Sequence, residues 1–195
     1  IKKDHVFALF QSRGTPHTQA ILPILASNKV PLVAPSTGAA VFHSPVNRYV
    51  FNVRAKYQDE VKKAVEQFST IGLKDIAIVH VDDTFGGDGL TGFTSAMDSF
   101  KLKPSLVSKY DRAKPDVPKA IDEVVKSPAK ALIIVGSATT VSEIIRGLRT
   151  KGSSIQIMTL SNNASQSFID SLGPVATGIM VSQIMPAPHL VSSTL

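Results

Sequence analysis

The sequence of 195 residues contains no cysteine and no tryptophan, and only 6% of its residues are aromatic. Without cysteine there is no disulfide framework, thiolate metal site or cysteine nucleophile. No apolar run approaches the roughly 18 residues that a membrane-spanning helix requires, so we expect no direct membrane insertion. With 43% apolar and only 18% charged residues, the composition is typical of a chain that folds around a core.

The net charge is +6, yet the second half of the chain has few aromatic side chains. Nucleic-acid binding usually combines a basic face with stacking aromatics or a recognition helix, and neither is visible. We therefore expect no nucleic-acid partner. A solvated basic face that favours anionic ligands is the simpler interpretation.

Short β-branched runs alternate with longer amphipathic stretches along the chain, apart from an irregular passage at 35–57. Near-continuous apolar strands separated by helices are typical of a parallel sheet covered on both faces, so the predicted fold class is α/β, doubly wound. Strands are predicted at 6–10, 30–34, 75–81, 105–110, 131–135, 155–160 and 178–183, and helices at 15–28, 59–70, 89–100, 117–126, 141–150 and 165–172.

The predicted strands divide unequally along the chain. Residues 49–184 contain five strands, enough for one complete lobe, whereas residues 1–48 contain two and cannot close a sheet alone. The first 48 residues either form part of another lobe or add to the same sheet. We expect the former, with 185–195 returning toward that lobe and crossovers near 45–49 and 185–188.

Gly87, Gly89 and Gly92 form a G-x-G-x-x-G pattern between a strand and a helix, with Asp111 near the end of the next strand. A dinucleotide site needs the first glycine close to the strand, so that the helix N-terminus meets the pyrophosphate. Here a long loop containing Asp82 and Asp83 intervenes, and its carboxylates repel phosphate. An oxidoreductase remains an alternative that predicts contact between Asp111 and a ribose, but we expect no cofactor.

The sequence does not supply the additional residues that other kinds of catalytic site require. Asp82 and Asp83 at a strand end suit Mg²⁺, but the neighbouring strand ends supply no further carboxylate or lysine, so a turn in which Asp caps backbone amides is the preferred interpretation. The sequence has no G-x-S-x-G motif, and its five histidines lack metal-ligand spacing. We expect neither a metal site nor enzymatic activity.

Small polar residues follow the predicted strands at their carboxyl ends, where open α/β sheets bind ligands. Such neutral donors suit holding the carboxylate of a small ligand without reacting with it, although each could equally cap a helix. The residues are Ser12, Ser36, Thr37, Gly38, Ser137, Ser161 and Asn162.

Several segments together resemble the periplasmic solute-binding proteins of branched-chain amino acid ABC transporters, which have the type I two-lobed fold. They cover nearly the whole chain in the order of the family: VFALFQSRGT (6–15), VPLVAPSTGA (30–39), YVFNVRAKYQDEVKKAVEQF (49–68), DIAIVHVDDTFGGDGL (75–90), ALIIVGSATTVSEIIRGLRTKG (131–152) and GIMVSQIMP (178–186). The resemblance implies a fragment of the family fold that lacks the first two strand-helix units and the final portion.

The resemblance also implies a ligand site between lobes. The ligand carboxylate would meet Ser12 and the small residues Ser36, Thr37 and Gly38, while Phe85 packs on the ligand from the other lobe. Where many relatives carry another aromatic, this chain has Ser137 and Ala138.

One departure bears on the ligand. Amino-acid binders of the family place a carboxylate for the ligand ammonium near the end of the strand that contains Met158, whereas this chain has Ser161 and Asn162. Burying the ligand ammonium in a closed cleft without an anionic partner costs roughly several kcal/mol of binding free energy. Carboxylates without an amine, including aromatic acids, therefore become candidates beside amino acids.

The implied partner is the permease of an ABC importer, and the implied location is the periplasm. Since the sequence begins at Ile1 without a signal-peptide pattern, we expect a targeting sequence upstream. The alternative function is a ligand-sensing domain of a receptor or amide-responsive regulator with the same fold, which flanking sequence would distinguish.

Overall fold

The computed structural model describes residue 1, residue 3 and residues 5–185. The expected crossover at 185–195 lies outside this part apart from Met185. Within the described part, no helix is long and apolar enough to cross a membrane.

A small parallel sheet is formed by β1 (Leu9–Phe10), β2 (Leu32–Val33) and β3 (Val50–Phe51), in that order. The first two strands are shorter than predicted, mainly at their N-terminal ends. Positive φ angles at Gln11 (52°) and Ala34 (49°) turn the chain out of the extended conformation directly after each strand. The third strand lies in a passage predicted to be irregular. It falls beyond residue 48, the expected end of the first lobe, yet it completes this sheet by pairing with β2.

Helix α1 (Thr15–Asn28) connects β1 to β2, as predicted. Thr15 and Pro16 at its start are typical of an N-cap residue followed by a proline in the first turn, but the N-cap position is Gly14 at φ 87° and no side chain caps the helix. The Thr15 hydroxyl is instead 2.8 Å from the Thr37 hydroxyl. This bond joins the segments that follow β1 and β2.

The larger sheet is parallel throughout and has the strand order β5-β4-β6-β7-β8. Its strands are β4 (Ile76–Val81), β5 (Leu106–Tyr110), β6 (Ala131–Val135), β7 (Gln156–Thr159) and β8 (Ile179–Val181). The chain leaves β4 toward β5 on one side of the sheet and leaves β6 toward β7 on the other side. This reversal creates a crevice between the carboxyl ends of the two central strands, β4 and β6.

Helices cover both faces of this sheet, as right-handed crossovers require. They are α2 (Tyr57–Thr70), α3 (Thr84–Ser99), α4 (Val117–Lys126), α5 (Ala138–Thr150) and α6 (Gln166–Leu172), with short 3₁₀ turns at Ala40–Phe42, Ser161–Asn163 and Gly173–Ala176. Helix α2 packs on α3, and α5 packs on both α4 and α6. This confirms the predicted fold class.

The turn at Ala40–Phe42 belongs to the core of the larger sheet, since Phe42 is fully buried there. Asp88 of α3 strengthens this attachment: its carboxylate accepts hydrogen bonds from the Ala40 amide at 3.1 Å and the Gln58 side chain at 2.8 Å.

A separate small core lies between α1 and the small sheet. It is formed by Leu25, Val30 and Leu32.

Helix α3 begins five residues earlier than predicted, at Thr84 rather than Gly89. The Asp83 carboxylate caps it by accepting hydrogen bonds from the amides of Phe85 (2.9 Å) and Gly86 (3.1 Å), which confirms the predicted capping role. The expected long loop is therefore absent from this described segment, and the G-x-G-x-x-G glycines lie inside a helix.

The buried glycines of α3 allow close packing. A Cβ at Gly89 would lie 3.0 Å from Val135 of β6, and one at Gly92 would lie 2.7 Å from the Gln58 Cα of α2. Two of the three glycines of the pattern, Gly89 and Gly92, are thus explained by contacts of α3 with its neighbours, whereas Gly87 has no such contact.

Candidate ligand-binding cleft

A cavity of about 330 Å³ lies where the carboxyl ends of the two sheets face each other. The segments after β1 and β2 form one side, and those after β4, β5, β6 and β7 form the other, with Tyr57 at the start of α2. The lining residues are Arg13, Gly14, Thr15, Pro16, His17, Ser36, Tyr57, Phe85, Arg112, Ser137 and Asn162.

A depression of about 450 Å³ at the opposite end of the larger sheet is bigger, and Lys130, Lys151 and Gln156 are among its lining residues. It lies near the starts of β6 and β7. Because open parallel sheets bind ligands at the carboxyl ends of their strands, the cleft between the sheets is the candidate site.

Four of the predicted site residues line the cleft: Ser36, Phe85, Ser137 and Asn162. The other five form the supporting layer or lie beside it, and they are Ser12, Thr37, Gly38, Ala138 and Ser161. The structure thus brings the predicted strand ends together around one space.

The segments after β1 and β2 are held in place by hydrogen bonds to each other, to α1 and to the start of α2. The Ser12 hydroxyl is 3.0 Å from that of Thr18, and the fully buried Thr37 is paired with Thr15. Gly38 allows the chain to pass close to α2: its carbonyl accepts a hydrogen bond from the Tyr57 amide at 2.8 Å, and a Cβ would lie 2.5 Å from the Ala55 oxygen. These residues position the wall to which Ser36 belongs.

Phe85 and Tyr57 form an aromatic wall. Their ring centroids are 4.8 Å apart at an interplanar angle of 55°, a tilted geometry that aromatic pairs favour. The Arg54 guanidinium lies 4.8 Å from the Tyr57 centroid, so this ring is fixed by its neighbours. Tyr57 was missed from the sequence because it was assigned to the irregular passage before α2.

Ser137 and Asn162 form the polar part of the wall that follows β6 and β7. The Asn162 side-chain amide donates to the Gly136 carbonyl at 2.9 Å, and the Ser137 hydroxyl is 3.2 Å from that of Thr140. The Asn162 carbonyl oxygen is buried without a partner among the described residues.

A buried ion pair supports this wall from behind. The Glu60 carboxylate accepts a hydrogen bond from the Ser161 amide at 2.8 Å and one from the Ser182 hydroxyl, and its other oxygen is 3.4 Å from Arg54. Arg54 also donates to the Ser161 hydroxyl at 2.6 Å. Glu60 is therefore a carboxylate near Ser161, but it is neutralised by Arg54 and does not line the cavity.

The described lining of the cleft contains no aspartate or glutamate, whereas Arg13, His17 and Arg112 are basic. Behind it, burial raises the pKa of Tyr110 to about 12, so this phenol stays neutral at physiological pH. The cleft consequently presents hydroxyl, amide and cationic groups next to an aromatic surface, a combination that favours a carboxylate.

Comparison with known proteins identifies the family. The profile of the periplasmic binding proteins matches residues 1–189, and the chain belongs to this family in its type I form. No curated protein sequence matches the chain.

Solved structures show the same fold. A substrate-binding periplasmic protein from Ralstonia solanacearum is 26% identical with a TM-score of 0.87, over 95% of this chain and 53% of that one. A possible leucine/isoleucine/valine-binding protein from Rhodopirellula baltica is also 26% identical, with a TM-score of 0.88, over 95% and 52%. A solute-binding protein of an ABC transporter from R. palustris, in complex with benzoate, is 14% identical with a TM-score of 0.81, over 90% and 49%. The chain therefore spans about half the length of these structures.

Proposed function

We propose that this chain forms part of an extracytoplasmic solute-binding protein of an ABC importer, which binds a small carboxylate between its lobes and performs no reaction on it. The observation that carries the proposal is the cleft itself: it lies between two sheets and is lined by cations, hydroxyls, an amide and two aromatic rings. Membership in the periplasmic binding protein family supports the location and the permease as partner.

In this proposal each side of the cleft has a distinct role. Ser36 and Arg13 hold a ligand carboxylate from the small-sheet side, with Ser12, Thr37 and Gly38 positioning them. Phe85 and Tyr57 contact the carbon skeleton from the other side, where burial of apolar surface contributes roughly 25 cal/mol per Å². The segment near 45–49 acts as a hinge that allows the two sides to close on the ligand.

The charge of the cleft favours a ligand without an amine. Ser161 and Asn162 stand where amino-acid binders of the family carry a carboxylate, and Ala138 and Ser137 leave room where many have another aromatic. Glu60, the nearby carboxylate, is engaged by Arg54 and Ser161. The benzoate complex of the R. palustris protein is a precedent for an amine-free carboxylate in this fold.

A ligand panel tests the proposal. The intact protein should gain thermal stability with at least one amine-free carboxylate, since a ligand at 100 times its dissociation constant stabilises the folded state by about 2.7 kcal/mol. Matched amides and amines of the same carbon skeleton should give smaller shifts. Stabilisation by amines or neutral solutes alone would contradict the assignment.

Replacing Phe85 by leucine tests whether its ring contacts the ligand, and a matched control accounts for effects on stability. The variant should bind the same carboxylate roughly five-fold more weakly, because an aromatic contact worth about 1 kcal/mol is lost. Phe100→Leu, at the end of the same helix and 40% exposed, is the matched control and should bind normally. Equal affinities of the two variants would remove Phe85 from the site.

A further inference from the structure

Two arginine residues line the cleft, one from each side. Arg13 follows β1 in the small-sheet part, and its backbone pairs with that of Ser36. Arg112 follows β5 in the larger sheet, and both residues line the same cavity. The wall therefore carries a cation on each of the two parts that would close on a ligand.

Arg112 is oriented by the cap of helix α3. Its Nε donates to one carboxylate oxygen of Asp83 at 2.5 Å, while the other oxygen accepts from the amides of Phe85 and Gly86. The guanidinium is thus fixed relative to Phe85. Among the described residues only Nε is engaged, which leaves the terminal amino groups able to bind a further carboxylate.

A ligand with one carboxylate satisfies only one of these cations. On closure the other arginine would gain no ligand carboxylate; for Arg112, whose Nε is already bound to Asp83, the terminal amino groups would lose water without gaining a partner, which is unfavourable. A ligand with a carboxylate at each end provides a partner for both. Its carbon skeleton would then lie along the rings of Phe85 and Tyr57, whose centroids are 4.8 Å apart.

From this arrangement we propose that the protein selects ligands with two anionic groups, of the dicarboxylate class. Arg13 and Ser36 bind one carboxylate, and Arg112 binds the second. The proposal rests on the proposed function, because it names the ligand class of the same cleft. It makes Arg112 the residue that distinguishes dicarboxylates from monocarboxylates.

Calorimetric titration of the intact protein with monocarboxylates and dicarboxylates of the same carbon skeleton tests the dicarboxylate proposal. The probes are benzoate against the three benzenedicarboxylates, and hexanoate against adipate. At least one dicarboxylate should bind 10-fold more tightly than its monocarboxylate partner. Arg112→Gln should weaken binding of that dicarboxylate roughly 10- to 100-fold, as expected for a lost charge-assisted hydrogen bond, and should weaken binding of the matched monocarboxylate by a clearly smaller factor.

Two further variants act as controls. Lys109→Gln removes a positive charge of the same strand region, but Lys109 pairs with Asp82 at 2.9 Å and is 64% exposed outside the lining, so dicarboxylate affinity should be retained. Arg112→Lys keeps the charge without the planar fork and should retain part of the selectivity.

The outcomes separate the two proposals. Tighter binding of monocarboxylates, or an equal effect of Arg112→Gln on both classes, would overturn the dicarboxylate inference while leaving a carboxylate-binding protein. Failure of the unmodified protein to bind any carboxylate would overturn the proposed function as well.

Discussion

Gly86→Ala should destabilise the protein by about 3 kcal/mol or more, because overpacking against backbone cannot be relieved by a rotamer change. A Cβ at Gly86 would lie 1.7 Å from the carbonyl oxygen of Val81 and 2.9 Å from the ring of His80. Val81 ends β4, which is hydrogen-bonded on both sides by β5 and β6. The first turn of α3 would therefore have to move away from the sheet, and Phe85 would move with it.

Gly87→Ala is the matched control in the same helical turn. Nothing lies within 4 Å of a Cβ at this position, so alanine should raise stability by about 0.5–1 kcal/mol through its better helix propensity. Urea denaturation of the two variants checks the prediction. Similar midpoints would show that α3 does not approach β4 as closely as described.

Glu60→Ala should be comparably severe, with a loss of about 3–5 kcal/mol, because it leaves a buried guanidinium without its partner. The Arg54 side chain is only 11% exposed and the Glu60 side chain 4%. The same substitution removes the acceptor for the Ser161 amide and the Ser182 hydroxyl. Because Asn162 follows Ser161 in the cleft wall, ligand affinity should fall as well.

Two comparisons isolate the buried charge. Glu66→Ala, on the exposed face of the same helix, removes a carboxylate paired with Lys63 and should leave the urea midpoint almost unchanged. The double variant Arg54→Met, Glu60→Gln should be more stable than Glu60→Ala, since it leaves no unpaired buried charge. A double variant as unstable as the single one would contradict this explanation.

The larger sheet could be predicted almost completely from sequence because its strands are buried apolar runs and its helices have clear amphipathic patterns. β6 is an example, since all five residues from Ala131 to Val135 are buried and its predicted bounds match the structure. Helix α3 was predicted to begin too late because glycines usually indicate a loop. In the structure Gly86, Gly89 and Gly92 are required for packing, which no local pattern reveals.

The small sheet was harder to predict because its strands pair over only two residues each. β3 carries little periodic signal at that length, and its pairing with β2 depends on tertiary structure.

For the cleft, residues at strand ends could be placed in advance, including Ser36, Ser137 and Asn162, and the family resemblance added Phe85. Arg13, His17, Tyr57 and Arg112 could not, since they lie in loops or at a helix start whose approach to the cleft is decided by the fold. Whether the predicted site residues bind ligand stays a prediction.

Ligand-dependent closure tests the central claim most directly. Spin labels at Ala20→Cys in α1 and Glu143→Cys in α5 mark the two sides through exposed positions outside the cleft lining, and residues 1–195 add no other cysteine. Distances are measured by pulsed electron resonance in the intact protein, with and without a saturating carboxylate. A shorter and narrower distance distribution with ligand is the expected result. An unchanged distribution with the ligand bound would contradict a clamp that closes between the two sheets.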